Sequence, residues 1–225
     1  MPLALWALTI SAFAIGTTEF VIVGLIPTIA EQLSITLPSA GMLVSIYALG
    51  VAVGAPVLTA LTGKLPRKQL LMGLMVLFTA GNLVAWLAPN YETLVIARLL
   101  TGLAHGVFFS VGSTIATSLV SKEKAASAIA IMFGGLTVAL VTGVPLGTLI
   151  GQHFGWRESF LAVSLLGVIA LFSSMILVPR NIAQPPVTTL AQQARVMVNP
   201  RLLLIYTITA LGYGGVFTAF TFLAP

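Results

Sequence analysis

The sequence predicts an all-α membrane protein: a six-helix bundle made of two inverted three-helix repeats, followed by one further helix. Three observations carry that expectation. Charged residues make up 7% of the 225 positions and hydrophobic residues 58%, with a mean hydropathy of +1.10. A soluble domain carries about 25% charged residues, so this chain has too few ions to cover a water-facing surface. Disorder is excluded by the same composition, because disordered chains are poor in apolar residues. The apolar residues also gather into seven stretches, each long enough for the roughly 20 residues that a membrane-crossing helix needs. Finally, a Gly-x-Pro element recurs once per block of three stretches, as Gly54-Ala55-Pro56-Val57 and Gly143-Val144-Pro145-Leu146.

In order, the expected spans are 3–29, 39–62, 69–88, 93–118, 125–150, 159–178 and 202–225. The first is too long for the apolar region of a secretory signal, and no processing site follows it. The breaks carry turn chemistry: Glu31 to Pro38, Gly63 to Lys68, Pro89-Asn90, Ser121 to Lys124, Gly155 to Glu158, and Pro179 to Pro200. Three spans per block force the second block to be inverted relative to the first. Span one also echoes span seven, with Ala12, Gly16 and Pro27 recurring 198 residues on as Ala210, Gly214 and Pro225. That echo suggests a parallel repeat restarting at span seven, as in secondary transporters. The complete molecule would then have about twelve spans and roughly 400 residues. Residues 1–178 are expected to form one six-helix half, 179–201 a cytoplasmic connection, and 202–225 the first helix of a second half that the chain lacks.

The cations define the topology. Lys64, Arg67 and Lys68, then Lys122 and Lys124, then Arg180, Arg195 and Arg201 all fall on one side. Only Arg157 falls on the other, and Arg98 lies within a span. The positive-inside rule therefore places the N-terminus in the cytoplasm and the end of span seven outside. The net charge of +5 is thus a topology signal, and nucleic acid is not expected as a partner. Trp6, Trp86 and Trp156 fall near span ends, where an aromatic belt is expected. The absence of cysteine removes thiol chemistry, disulfides and Cys-ligated metals, and neither a metal nor a cofactor is expected. Enzyme chemistry is not expected either, since there is no His-Glu-x-x-His, no Gly-x-Ser-Gly and no aspartate. A seven-helix receptor or retinal protein is the alternative, but its N-terminus would face outward, and span seven has no lysine for a Schiff base.

A few polar groups lie inside the apolar stretches. Glu19 sits about 15 Å from the outer end of span one at 1.5 Å per residue. A charge there costs roughly 2.5–3.5 kcal/mol, so it needs a partner, water or a proton. It reads either as a protonated structural group or as a site for protons or a cationic substrate. Arg98 enters span four from the outer side, roughly 9 Å deep. It can meet Glu19 if the two helices line one cavity, or snorkel to the interface. His105 and then Phe109 continue the Arg98 face. Asn82 in span three reads as a helix-contact hydrogen bond. Gly50-x-x-x-Gly54, Gly102-x-x-x-Gly106 and Gly147-x-x-x-Gly151 read as close helix packing. Pro56 and Pro145 are either passive kinks or bending points.

These motifs resemble the major facilitator superfamily, in particular its twelve-span drug:proton antiporter branch and the transporters similar to arabinose-efflux permeases and purine exporters. Span four is similar to a family motif over Leu94-x-x-x-Arg98-x-x-Thr101-Gly102-x-Ala104-x-Gly106. Span five resembles the antiporter motif through Gly143-x-Pro145-x-Gly147-x-x-x-Gly151 and Gly155-Trp156-Arg157-x-x-Phe160, departing at Val144 where glycine is usual. The loop motif Gly-x-x-x-Asp-Arg-x-Gly-Arg-Arg is degenerate, reading Thr59 to Lys68, with Lys64, Arg67 and Lys68 kept while Gly63 replaces the aspartate and Pro66 a glycine. Span one, from Gly16-Thr-Thr-Glu19-Phe20 to Gly24-x-x-Pro27, is similar to the subgroup's first helix. The resemblance implies a proton-coupled secondary transporter, of exporter type, that moves a drug, sugar or nucleobase by alternating access and works as a monomer at full length. It carries a proton-coupling role over to Arg98 and suits one at Glu19; beside them His105 is expected in a lesser coupling role, and Phe20, Tyr47 and Phe109 as cavity contacts. Gating and motif roles fall to Gly102, Gly106, Gly143, Pro145, Gly147, Lys64, Arg67 and Lys68.

Overall fold

The computed structural model describes residues 2–182 and 198–223. The expected connection 179–201 falls largely outside them, as do Arg195 and Pro225. The chain divides into two compact units, Met1–Gln184 and Pro185–Pro225, each described by itself.

The helices of the first unit are α1 (Leu3–Gln32), α2 (Leu37–Leu61), α3 (Arg67–Trp86), α4 (Tyr91–Ser118), α5 (Ala125–Val138), α6 (Val144–Phe154) and α7 (Trp156–Leu177). The second unit contains α8 (Pro200–Leu223). Local chemistry sets the boundaries. The Thr36 hydroxyl accepts from the Ser39 N–H to open α2, with Pro38 in the first turn. Asn90 caps α4 by accepting from the Thr93 N–H at 3.0 Å, with Glu92 in the first turn. Gly155 separates α6 from α7 with a φ of 103°, a conformation that a side chain would strain.

Span five departs from the unbroken helix that hydropathy predicts. It is a composite of α5, a π turn over Ala139–Gly143, and α6. The turn lies just before Pro145, whose ring removes one helical N–H and crowds the carbonyl four residues earlier. With this composite counted as one, six helices of the first unit are long and apolar enough to cross a membrane.

The packing obeys the repeat. α1 packs on α5–α6 and on α7, α2 packs on α4, and α3 packs on both α4 and α7. Exchanging spans one to three with spans four to six maps this pattern onto itself. The two Gly-x-Pro elements are 89 residues apart, at 54 and 143 and at 56 and 145. Lys68 and Arg157, at the starts of α3 and α7, share that offset.

Two apolar cores fill the bundle. One gathers Leu5, Leu8, Ile15, Phe78, Phe108 and Val111; the other gathers Val21, Ile22, Leu25, Leu43, Phe160 and Trp156. Trp156 therefore does not join an interfacial belt. Its ring is fully buried, edge-on to Phe160 and covered by the Arg157 guanidinium at 4.2 Å. Trp6, by contrast, is 55% exposed. Between the two cores, at mid-height, buried polar groups form a layer: Thr17 and Thr18 from α1, Thr79 and Asn82 from α3, and Arg98 and Thr101 from α4.

Candidate functional site

Glycines bring α2 and α4 together backbone to backbone. A Cβ at Gly102 would collide with the Tyr47 carbonyl, and one at Gly106 would lie 2.5 Å from the Val51 carbonyl oxygen. Only glycine permits that approach, and in a bilayer such packing is what holds helices together. The contact fixes Tyr47 of α2 against the stretch of α4 that carries Arg98, His105 and Phe109. On the equivalent crossing, Gly135 of span five meets the Thr9 carbonyl of α1, while Gly143 faces the Thr17 hydroxyl and Gly147 faces Val21.

The site is built around Arg98, which is 1% exposed. Its Nη1 donates to the Thr18 carbonyl at 2.9 Å, and its Nε reaches the Leu43 carbonyl at 3.5 Å. The guanidinium lies 4.0 Å over the Tyr47 ring, a cation–π contact strengthened by exclusion of water. Its Nη2 is buried without a hydrogen-bond partner among the described residues, as is the Thr79 hydroxyl in the same layer. Arg98 therefore does not snorkel. Thr18 also donates to Asn82 Oδ1 at 2.6 Å, while Asn82 Nδ2 donates to the Phe78 carbonyl at 2.9 Å. Asn82 makes the interhelical bond the sequence suggests, and that bond steadies the carbonyl-bearing residue on which Arg98 rests.

Glu19 and Arg98 share this layer without pairing. Glu19 instead approaches His105, with Oε2 3.8 Å from His105 Nδ1. The same nitrogen lies 2.8 Å from the Tyr47 hydroxyl. His105 then stacks at 5.0 Å on Phe109, and Phe109 at 4.8 Å on Phe133 of α5. Glu19 and His105 keep 22% and 12% of their side-chain surface accessible. The layer thus opens from a sealed guanidinium, through Tyr47, to an accessible carboxyl–imidazole pair flanked by aromatic rings. Chemically, such a site can hold and release a proton and can contact a ligand through rings and a carboxyl group.

The expected residues divide accordingly. Glu19, Arg98, His105, Tyr47 and Phe109 come together, while Phe20 is half-buried beside Glu19 on α1. Tyr47, expected as a cavity contact, is 2% exposed and lies between Arg98 and His105. Gly102 and Gly106 build the frame, and Gly143, Pro145 and Gly147 belong to the composite span. Lys64 is exposed. Lys68 Nζ donates to the carbonyls of Met175, at 2.7 Å, and Val178, at 2.5 Å, capping the end of α7. Its equivalent Arg157 donates through Nη2 at 2.8 Å to the Ala88 carbonyl, just past the end of α3. Arg67 Nε is buried with no hydrogen-bond partner among the described residues. Sequence reasoning missed Phe133, whose signal is its isolation, since no other aromatic residue lies between Phe109 and Phe154.

Comparison with known proteins agrees with this architecture. Residues 8–225 match the family described as the Major Facilitator Superfamily. The chain is 54% identical over 222 residues to the uncharacterized MFS-type transporter YtbD of Bacillus subtilis (strain 168), covering 99% of this chain and 56% of that protein. It is 38% identical over 228 residues to a chloramphenicol resistance protein of Streptomyces lividans, covering 100% of this chain and 58% of that protein. The chain thus spans little more than half the length of these relatives. Its fold matches that of the proton:xylose symporter XylE with a TM-score of 0.68 at 14% identity, over 77% of this chain and 44% of that one. The chain belongs to the Major Facilitator Superfamily.

Proposed function

We propose that this chain contributes one six-helix half of a proton-coupled secondary transporter that exports a small molecule across a bacterial inner membrane. In this reading α8 begins a second half and residues 179–201 connect the two on the cytoplasmic side. The N-terminus is cytoplasmic, in keeping with eight cations on one side against one on the other. The observation that carries the proposal is the convergence of Glu19, His105 and Arg98 in one mid-bundle layer, with Glu19 and His105 keeping accessible surface. Intramembrane ionisable groups that pair with one another and face an opening mark proton or substrate paths. Glu19 is the proton carrier, Arg98 its fixed counter-charge, and Phe20, Phe109 and Phe133 offer ring surface to the substrate. The name of the Streptomyces lividans relative supports a drug-type substrate and outward transport.

The test uses the full-length protein in inverted vesicles with an acid interior. Chloramphenicol, a pentose and a nucleobase are added in turn, and proton release is followed with a trapped pH dye. At least one probe should release protons while accumulating inside, and Glu19→Gln should reduce both signals to the level of protein-free vesicles. Unchanged proton-driven uptake in Glu19→Gln overturns the role given to Glu19.

A further inference from the structure

His105 Nδ1 has two claimants, the Tyr47 hydroxyl at 2.8 Å and a Glu19 oxygen at 3.8 Å. One ring nitrogen carries either a lone pair or a proton, so it serves one of them at a time. The Tyr47 hydroxyl is buried, and among the described residues Nδ1 is its hydrogen-bond partner. If Nδ1 carried the proton and donated to Tyr47, the phenolic O–H would be left buried without an acceptor, which costs about 1–3 kcal/mol. The cheaper arrangement has Tyr47 donating to a bare Nδ1, with the imidazole proton on Nε2.

We infer that Tyr47 is a positioning residue: its hydroxyl locks His105 in the Nε2–H tautomer and keeps Nδ1 from closing a pair with Glu19. The inference rests on reading Glu19 and His105 as the transport site. Its effect is to hold open a pair that would otherwise neutralise itself. Glu19 stays available to the accessible face, and His105 turns an N–H, rather than a lone pair, to whatever ligand reaches it. Arg98 contributes by fixing the ring from the opposite face, at 4.0 Å. It is the other charged group in contact with Tyr47 among the described residues.

The protein carries its own control. Its two histidines are His105 and His153. His153 Nδ1 lies 2.9 Å from the Leu149 carbonyl, which can only accept, so His153 carries its proton on Nδ1. The two histidines are therefore expected to differ at Nδ1, bare in His105 and protonated in His153. The experiment is nitrogen-15 NMR of the full-length protein in lipid nanodiscs, with labelled histidine in this half assigned through His153→Gln. No substrate and no gradient are present, so the outcome is independent of the transport test. His105 should show the Nε2–H pattern, and Tyr47→Phe, which keeps the ring beneath Arg98, should move the proton to Nδ1 facing Glu19. An Nδ1–H or doubly protonated His105 in the unaltered protein overturns the inference, whether or not the variant folds. So does a Tyr47→Phe spectrum in which the His105 signals stay where they were.

Discussion

The two glycine-lined crossings, α2 on α4 and α1 on span five, occupy equivalent places in the repeat and are built differently. Across α2 and α4, Gly102 and Gly106 face bare backbone: the carbonyls of Tyr47 and Val51. Across α1 and span five, Gly135 also faces backbone, at the Thr9 carbonyl, but Gly143 and Gly147 face the side chains of Thr17 and Val21. The prolines differ in parallel. Pro56 lies inside a continuous α2, while Pro145 follows a π turn. Backbone against backbone has nothing to adjust, whereas a side-chain methyl or hydroxyl can give locally without moving its helix. The first crossing therefore acts as a rigid seam that holds Arg98, Tyr47 and His105 in register. The second is seamed at Gly135 and padded only from the π turn onward, where its loosened hydrogen-bond ladder suits it to bending.

The largest test of this difference is a pair of substitutions. Gly102→Ala should destabilise the full-length protein by about 2–3 kcal/mol, because a backbone must move. Gly147→Ala should cost less, about 1 kcal/mol, since the clash is with one Val21 methyl rather than backbone and the alanine gains helix propensity. Thermal unfolding in nanodiscs measures both, and equal losses would erase the distinction between seam and joint.

A smaller effect separates the prolines. Pro145→Ala lets span five recover a regular helix, so hydrogen exchange over residues 139–145 should slow by roughly tenfold, the equivalent of about 1.4 kcal/mol. Transport should slow at the same time. Pro56→Ala should leave transport within about twofold of the parent, because α2 is already continuous. A reversed order would show that α2 is the bending element.

The smallest effect sharpens what the repeats share. Lys68→Met and Arg157→Met each remove hydrogen bonds from a cation to helix-end carbonyls, and each should cost about 1 kcal/mol. Melting temperatures of the two variants should fall together; a loss confined to one would mean that the equivalence is geometric only.

Most of the fold is legible in the sequence because hydropathy marks the spans and turn chemistry marks their ends. The internal Gly-x-Pro match is likewise enough to suggest the inversion that the packing shows. The site is only partly legible. Glu19, Arg98, His105 and Asn82 announce themselves as polar residues in apolar stretches, a signal that costly burial makes strong. Their partners do not. Arg98 takes the Thr18 and Leu43 carbonyls, and backbone acceptors leave no trace in side-chain identity. Tyr47 looks like a cavity residue because helices that are apolar all round do not say which face turns inward. The π turn escaped because Pro145 looks the same in sequence as Pro56.

The reciprocal caps at the two ends of α3 and α7 act as a register lock. Lys68 ties the start of α3 to the end of α7, and Arg157 ties the start of α7 to the carbonyl just beyond α3. Sliding one helix past the other by a single turn, about 5.4 Å, would break both ties at once and offer neither cation a new carbonyl at its own end. The antiparallel pair therefore tilts as a strut more readily than it shears. Rocking of this half would then carry α3 and α7 together and take up its distortion in the helices that flank Glu19.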